Sequence, residues 1–348
     1  MSVSALVEPP LEVGARTFPR SQTLTDGFGR TLTYLRVSLT ERCQMRCGYC
    51  TPTGRVMRGA RDEDLRTIEI NRLLATFRAL GIRHVRFTGG EPLLHPHLTD
   101  HIAEARALGF SRISLTTNGD LLARKAQALA AAGLHDANVS VDSLDPARFR
   151  DITGGGDLGR VLAGLEAARR VLGRVKMNTV LLCTRNLGEL PRLVAFALAH
   201  NYDIRFIETM PLGAAGAAAV AFDFVAAEVA RAMIAERYRL RPLPSAPDAG
   251  PARRYAVEGS TIEIGFISPL SQAFCETCNR LRLTSRGRLV YCLGRSEGLD
   301  LRAALDQGLA PDELSSLIRT HVARDKPRGH GFTPEGRAVP VRMMAVGG

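Results

Sequence analysis

Between residues 32 and 208, short apolar or β-branched runs alternate with segments of helical period. Candidate strands lie at 32–39, 84–88, 112–117, 137–142, 175–182 and 203–208, and candidate helices at 68–80, 99–108, 121–132, 158–172 and 188–199. Strands separated by helices of this length form βαβ units, which lay the strands parallel in one sheet with the helices outside it. Six such units allow either a doubly wound sheet or an incomplete barrel, and periodicity alone does not separate the two. In both, reactive groups belong at the C-terminal ends of the strands.

The remainder of the chain is less regular. Residues 1–30 read as a loose leader. Residues 211–220 are low in complexity and read as a loop or lid. A helix is expected near 222–236, then a proline-rich linker from Pro242 to Pro251. Short strands follow at 253–257, 261–267 and 280–293, the last pair turning at Ser285-Arg286-Gly287, then helices near 300–307 and 312–322 and an irregular basic tail. The expected division is therefore a leader at 1–30, a main domain at 31–215 and a C-terminal domain at 216–348.

Two cysteine sets stand out. Cys43, Cys47 and Cys50 occupy a C-x3-C-x2-C loop directly after the first strand. Three thiolates on one short loop can hold three corners of an iron–sulfur cluster, which leaves the fourth iron open for chemistry. A zinc knuckle is the alternative, but zinc asks for a fourth Cys or His, and the nearest downstream His is His84. The second set, Cys275, Cys278 and Cys292, has a close pair on a loop and a third member on the far arm of a hairpin. It reads as a second three-thiolate cluster or as a zinc ribbon short of one ligand. Cys183 stands alone after a strand and is expected to be a small buried hydrophobe.

Composition narrows the setting. No run of about 18 apolar residues suggests a membrane span, and the N-terminus lacks a signal-type apolar core, so a cytoplasmic protein without a membrane partner is expected. Seven cysteines then point to metal or catalysis rather than disulfides. The net charge of +11 is carried almost wholly by arginine, with lysine only at 125, 176 and 326. The absence of Trp and of basic–aromatic interleaving argues against a single-strand nucleic-acid groove, so a small polyanion fits at least as well.

Several cations lie on candidate strands: Arg36, Arg86, Lys176 with Asn178 on the same face, Arg205, and the alternating pair Arg280 and Arg282 beside the second cysteine set. Charges along core strands are costly unless paired or facing a cavity. Cations converging from several strands would form a polyanion site suited to a triphosphate. The alternative is that they are solvated or paired with Asp and Glu. Thr88-Gly89-Gly90-Glu91-Pro92 ends the second strand, where two glycines allow close backbone approach and Glu91 could accept from an ammonium.

The first cysteine loop, with Tyr49 before its last member, resembles that of the radical S-adenosylmethionine (SAM) enzymes. Taken with Thr88–Pro92, Thr116-Thr117-Asn118-Gly119, Val139–Asp142, Lys176-Met177-Asn178, Arg205–Pro211 and the second cysteine set, the pattern resembles the GTP 3′,8-cyclase subfamily, the A proteins of molybdenum cofactor biosynthesis. The resemblance spans about 32–295 and the terminal Gly347-Gly348. It implies an α/β fold, an incomplete (β/α)6 TIM-like barrel with a C-terminal α+β extension.

The implied cofactors are SAM and two 4Fe–4S clusters, on Cys43/Cys47/Cys50 and on Cys275/Cys278/Cys292. Tyr49, Gly90, Ser140 and Met210 would contact SAM. Arg36, Arg86, Thr116, Lys176, Arg280 and Arg282 would contact GTP, and Gly347 and Gly348 would thread into the active site. In the implied reaction, a 5′-deoxyadenosyl radical takes hydrogen from C3′ of GTP and C3′ bonds to C8. The implied partners are GTP, an external electron donor and a downstream cyclic pyranopterin monophosphate synthase, with no nucleic acid and with a homodimer left open. The chain departs from the family pattern at Gln44, Thr51, His84 and His95. The alternatives are a radical SAM peptide-modifying enzyme with an auxiliary cluster and a zinc-containing nucleic-acid-binding protein.

Overall fold

The fold is taken from a computed structural model that describes residues 23–51, 63–244, 250–333 and 336–347. Six parallel strands appear where βα alternation places them: β1 (Tyr34–Ser38), β2 (His84–Thr88), β3 (Arg112–Thr117), β4 (Asp136–Ser140), β5 (Arg174–Val180) and β6 (Asp203–Ile207). Helices α1 (Thr67–Ala79), α2 (Leu98–Ala107), α3 (Leu122–Ala132), α4 (Pro146–Thr153), α5 (Leu158–Val171) and α6 (Leu190–His200) connect them. Asp145 and Asp157 cap α4 and α5 by accepting from the amides of Arg148 and Arg160.

Past β6 come α7 (Gly213–Asp223), α8 (Ala227–Ala235), β7 (Leu240–Pro242), β8 (Arg253–Val257), β9 (Glu263–Ile267), β10 (Arg280–Leu283), β11 (Arg288–Val290), β12 (Gly298–Asp300), α9 (Leu301–Asp306), α10 (Pro311–Asp325) and α11 (Met343–Val346). One twelve-stranded sheet runs through both halves, in the order β12-β11-β10-β1-β2-β3-β4-β5-β6-β9-β8-β7. Strands β10 and β9 extend it in parallel beyond β1 and β6. Side chains from β1 to β6, β9 and β10 line a single cavity, so the parallel run curls into an open barrel. The apolar outward faces of the strands pack against the helices in one large core that includes Phe87, Phe206 and Phe266.

Some expectations need correction. The run 211–220 is not a loop: it begins α7, because alanines at 214, 215 and 217–219 are the strongest helix formers and outweigh the two glycines. The next helix starts at 227 rather than 222. Within the linker expected at Pro242–Pro251, residues 245–249 lie outside the described residues, while β7 and β8 pair antiparallel across it. Of the expected leader, residues 1–22 lie outside the described residues. Residues 23–30 form a packed turn: Leu24 is fully buried, and its amide donates to the Leu80 carbonyl at 3.1 Å. Cys183 is exposed rather than buried, since it lies on the loop past β5, beyond the core.

Candidate active site

The first cysteine loop leaves β1 and is clasped from two sides. The amides of Arg46 and Gly48 donate to the carbonyls of Thr153 and Ile152 at the end of α4, at 2.8 and 3.2 Å. On the other side, the Gly90 and Glu91 amides donate to the carbonyls of Thr40 and Arg42, both at 2.7 Å. A Cβ on Gly90 would sit 2.5 Å from the Arg42 carbonyl oxygen, so only glycine allows the β2 turn to lie against the cysteine loop. Gly90→Ala is expected to push the loop outward, at a cost of about 1–3 kcal/mol. Iron content should fall by about half, as the second cysteine set keeps its share.

Glu91 does not present a free carboxylate to a ligand. It is fully buried, and it accepts from Thr117 Oγ1 (2.7 Å), the Asn118 amide (2.7 Å) and the Leu93 amide (3.0 Å). Asn118 in turn donates through Nδ2 toward Cys43 Sγ at 3.6 Å. Glu91 thus ties the β2 turn to the β3 loop and sets the residue that flanks the first thiol.

Burial pushes the Cys43 thiol up to about 11 and Cys50 up to about 12. Burial, then Asp142 and the neighbouring thiols, raises Cys47 well above the usual range. The three therefore hold their protons until a metal displaces them. Among the described residues, no group of three or more His, Cys, Asp or Glu is arranged to hold a single metal ion. A cluster instead gives each thiolate its own iron, and soft thiolates suit it.

Tyr49 donates its hydroxyl to Asp142 at 2.7 Å, and Asp142 also accepts from the Val180 amide at 2.8 Å. Burial raises the Asp142 carboxyl to about 6. Its folded value lies above the unfolded one, so its contribution to stability is fully present below about pH 4 and is lost as pH rises through about 6. Tyr49→Phe removes a donor from the ionised form. In chemical denaturation of the iron-loaded protein, the variant should lose about 1–3 kcal/mol at pH 8 and distinctly less at pH 5. Ser140 ends β4 half-buried, in register with Asn178.

The cations divide into two groups. Asp136, at the start of β4, is almost fully buried and gathers Arg112 (2.7 Å), Lys176 (3.3 Å) and Arg86 (3.9 Å). Despite its burial, the cations Lys176, Arg86 and Arg112 hold this carboxyl below the usual range. Lys176 is not among the residues that line the cavity, and burial lowers it to about 7. Thr116 Oγ1 accepts weakly from Arg86 at 3.5 Å.

Arg36, Arg205, Arg280 and Arg282 make no ion pair with a carboxylate among the described residues, yet all line one cavity together with Arg86, Asn138, Asn178 and Met210. Burial lowers Arg205 to about 10, with repulsion from Arg86 adding to it. Arg282 falls further through burial and the charges of Arg36 and Arg280. Four guanidiniums held together with no carboxylate ion pair among the described residues, although Asp203 and Asp136 favour the charge of Arg205, form a site suited to an anion. His84 also lines this cavity, stacked on Tyr34 with ring centres 4.0 Å apart and bonded to Ser114 Oγ. Burial and the nearby arginines push it down to about 2, so at neutral pH it adds no charge. His95 lies away from the cavity lining, buried near His97 and His101.

The second cysteine set opens into an adjoining space lined by Cys275, Cys278 and Cys292, which shares Met210, Phe274, Arg280, Arg282 and Leu293 with the cationic cavity. Three thiols facing one space have the chemistry to hold a cluster. Cys278 is held down at about 7: burial raises it, but the charges of Arg280 and Lys326 outweigh that effect. The tail meets this chamber: Arg282 Nη1 donates to the carbonyls of Val346 (3.1 Å) and Gly347 (2.6 Å), and Met343 lines the cavity. A Cβ on Gly347 would stand 2.1 Å from Thr88 Cγ2, so a side chain there would collide with the end of β2. Gly348 lies outside the described residues.

Residues 37–197 match the Radical SAM superfamily model and residues 202–332 match the Molybdenum Cofactor Synthesis C model. The chain is 44% identical over 329 residues to GTP 3′,8-cyclase 1 of Pseudomonas aeruginosa, covering 93% of this chain and 98% of that one. It is 43% identical to GTP 3′,8-cyclase of Paracoccus denitrificans, covering 91% and 92%. The chain belongs to the GTP 3′,8-cyclase family. The crystal structure of Streptococcus suis SuiB bound to S-adenosylmethionine superimposes with a TM-score of 0.61 at 15% identity, over 84% of this chain and 69% of that one. That likeness places the family member in the radical SAM fold. SAM and 4Fe–4S clusters are the cofactors that go with this family, and the two thiol sets have the chemistry and spacing to hold the clusters.

Sequence reasoning passed over several site residues. Asp136 reads as an ordinary strand start. Glu208 is fully buried and accepts from the amides of Ala227, Leu270 and Ser271, which anchors the segment leading to Cys275. Its Arg205–Pro211 setting was the only signal.

Proposed function

We propose that the protein converts GTP to 3′,8-cyclo-7,8-dihydro-GTP, the first step toward molybdopterin. The observation that carries this reading is the carboxylate-free set Arg36, Arg205, Arg280 and Arg282 in a cavity continuous with the second cysteine set. When bound and reduced, the first cluster with SAM would supply a 5′-deoxyadenosyl radical that takes the C3′ hydrogen of GTP; C3′ then bonds to C8 of the base, and one electron from the donor with one proton completes the 7,8-dihydro ring.

The protein's own part is placement. Cys43, Cys47 and Cys50 hold the first cluster, with Tyr49, Gly90, Ser140 and Met210 around SAM. Arg36, Arg86, Arg205, Arg280 and Arg282 hold the triphosphate, with Thr116 beside Arg86. Lys176 acts through Asp136. Cys275, Cys278 and Cys292 would hold the second cluster in the space that adjoins the cationic cavity, and Arg282 fixes the Gly347 end of the tail within the chamber. Proximity of the ribose to the radical carbon is the main contribution such a site makes.

An external one-electron donor and a downstream cyclic pyranopterin monophosphate synthase complete the expected partners. Seven unpaired cysteines suit the reducing cytoplasm, and no helix among the described residues is long and apolar enough to cross a membrane. A peptide-modifying radical enzyme has no need of the unpaired guanidiniums. The test is anaerobic reconstitution followed by incubation with SAM, dithionite and GTP. About eight irons per chain, with release of 5′-deoxyadenosine and consumption of GTP, are expected. SAM cleavage that is indifferent to GTP would overturn the substrate.

A further inference from the structure

Lys326 caps the end of α10 and is only 3% exposed. An ammonium has three N–H donors, and each has a partner here. They point to the Tyr291 carbonyl at 2.8 Å, the Arg280 carbonyl at 3.2 Å and Cys278 Sγ at 3.9 Å. Tyr291 directly precedes Cys292, and Arg280 follows Cys278 by two residues, so one side chain clamps both arms that carry the second cysteine set.

No carboxylate neutralises this ammonium among the described residues. Asp26, which favours the charge, is itself bound by Arg30 at 2.7 Å. A buried cation without a paired carboxylate costs several kcal/mol: burial and the charge of Arg30 act against it, and Cys278 and Cys292 act for it. Arg280 stands on the other side, its Nη2 also 3.9 Å from Cys278 Sγ, and the His330 amide donates to Cys275 Sγ at 3.4 Å.

We propose that Lys326 is a positioning residue for the second cluster: it ties the two ligand-bearing arms together and, as a fixed cation, biases the cluster toward its reduced, more negative state. This rests on Cys275, Cys278 and Cys292 holding a cluster. Adding one electron to a cluster on three thiolates adds one negative charge, and a cation held beside one ligand sulfur lowers the energy of that state.

The test uses the full-length chain carrying Cys43→Ser, Cys47→Ser and Cys50→Ser, reconstituted anaerobically so that only the second cluster titrates. Iron content and reduction potential are read by chemical analysis and by EPR during a redox titration. Lys326→Gln keeps a hydrogen-bond donor and removes the charge. It should retain iron while the reduced-to-oxidised ratio at fixed potential falls at least tenfold, equivalent to about 59 mV for a one-electron couple. Lys326→Met should fall at least as far, and Lys326→Arg, which keeps the charge, should stay near the unsubstituted value. An unchanged potential in Lys326→Gln with iron bound would overturn the proposal. A background protein that binds no iron would instead overturn the cluster site on which it rests.

Discussion

Arg205→Met is expected to weaken GTP binding by about 30-fold or more while making the ligand-free protein more stable. Arg205 enters the cavity from β6, is pushed down to about 10 by burial and by Arg86, and makes no ion pair with an acid among the described residues. Losing a desolvated cation from a polyanion site costs about 2–5 kcal/mol of binding, and 1.4 kcal/mol is tenfold. Without nucleotide the sign reverses. Burial and repulsion from Arg86 then outweigh the attraction of Asp203 and Asp136, and replacing a buried charge by an apolar chain of similar length is often neutral or stabilising. Calorimetric titration with GTP and melting of the nucleotide-free protein give the two readings. A variant that melts lower without nucleotide would show that Arg205 is a structural cation, and the triphosphate site would lose its main support.

Cys47→Ser is the second large effect. Cys47 lies between Cys43 and Cys50, and burial raises its thiol well above the usual range. A serine there removes a soft ligand from a site with no fourth protein ligand to compensate. Iron should fall from about eight to about four per chain, and 5′-deoxyadenosine release should drop below detection while GTP binding persists. No cysteine of the first set is among the residues around the second. Retention of SAM cleavage in this variant would remove the first loop from the chemistry.

What the sequence made legible follows from periodicity and from spacing. All six parallel strands fall within two residues of their expected starts, because βα alternation leaves few other ways to bury the apolar runs. Arg280 and Arg282 share a face, as period two requires, and both line the cavity. Pairing could not be read in this way. Nothing in a linear sequence says that Asp136 would take up Lys176, Arg86 and Arg112 while Arg36 and Arg205 form no ion pair among the described residues. Alanine-rich 213–223 failed for a different reason: low complexity resembles a loop in composition, but alanine is the best helix former. Lys326 carried a signal that went unused. It is one of only three lysines in an arginine-rich chain, the same oddity that drew attention to Lys176.

The position of β10 has a consequence for how the chain is made. Strand β1 is among the first elements to emerge in synthesis, and β2 covers one of its sides. Its other side waits for β10, and the bond between Asn279 and Thr33 that marks this junction links residues 246 apart in sequence. During that interval a hydrophobic strand stands with an open edge, a template for pairing with other chains. Polypeptides that stop before residue 280 should therefore aggregate even though every strand of the (β/α)6 run is present. Full-length chains should depend on chaperones until β10 has been synthesised, long before iron or nucleotide has any part to play.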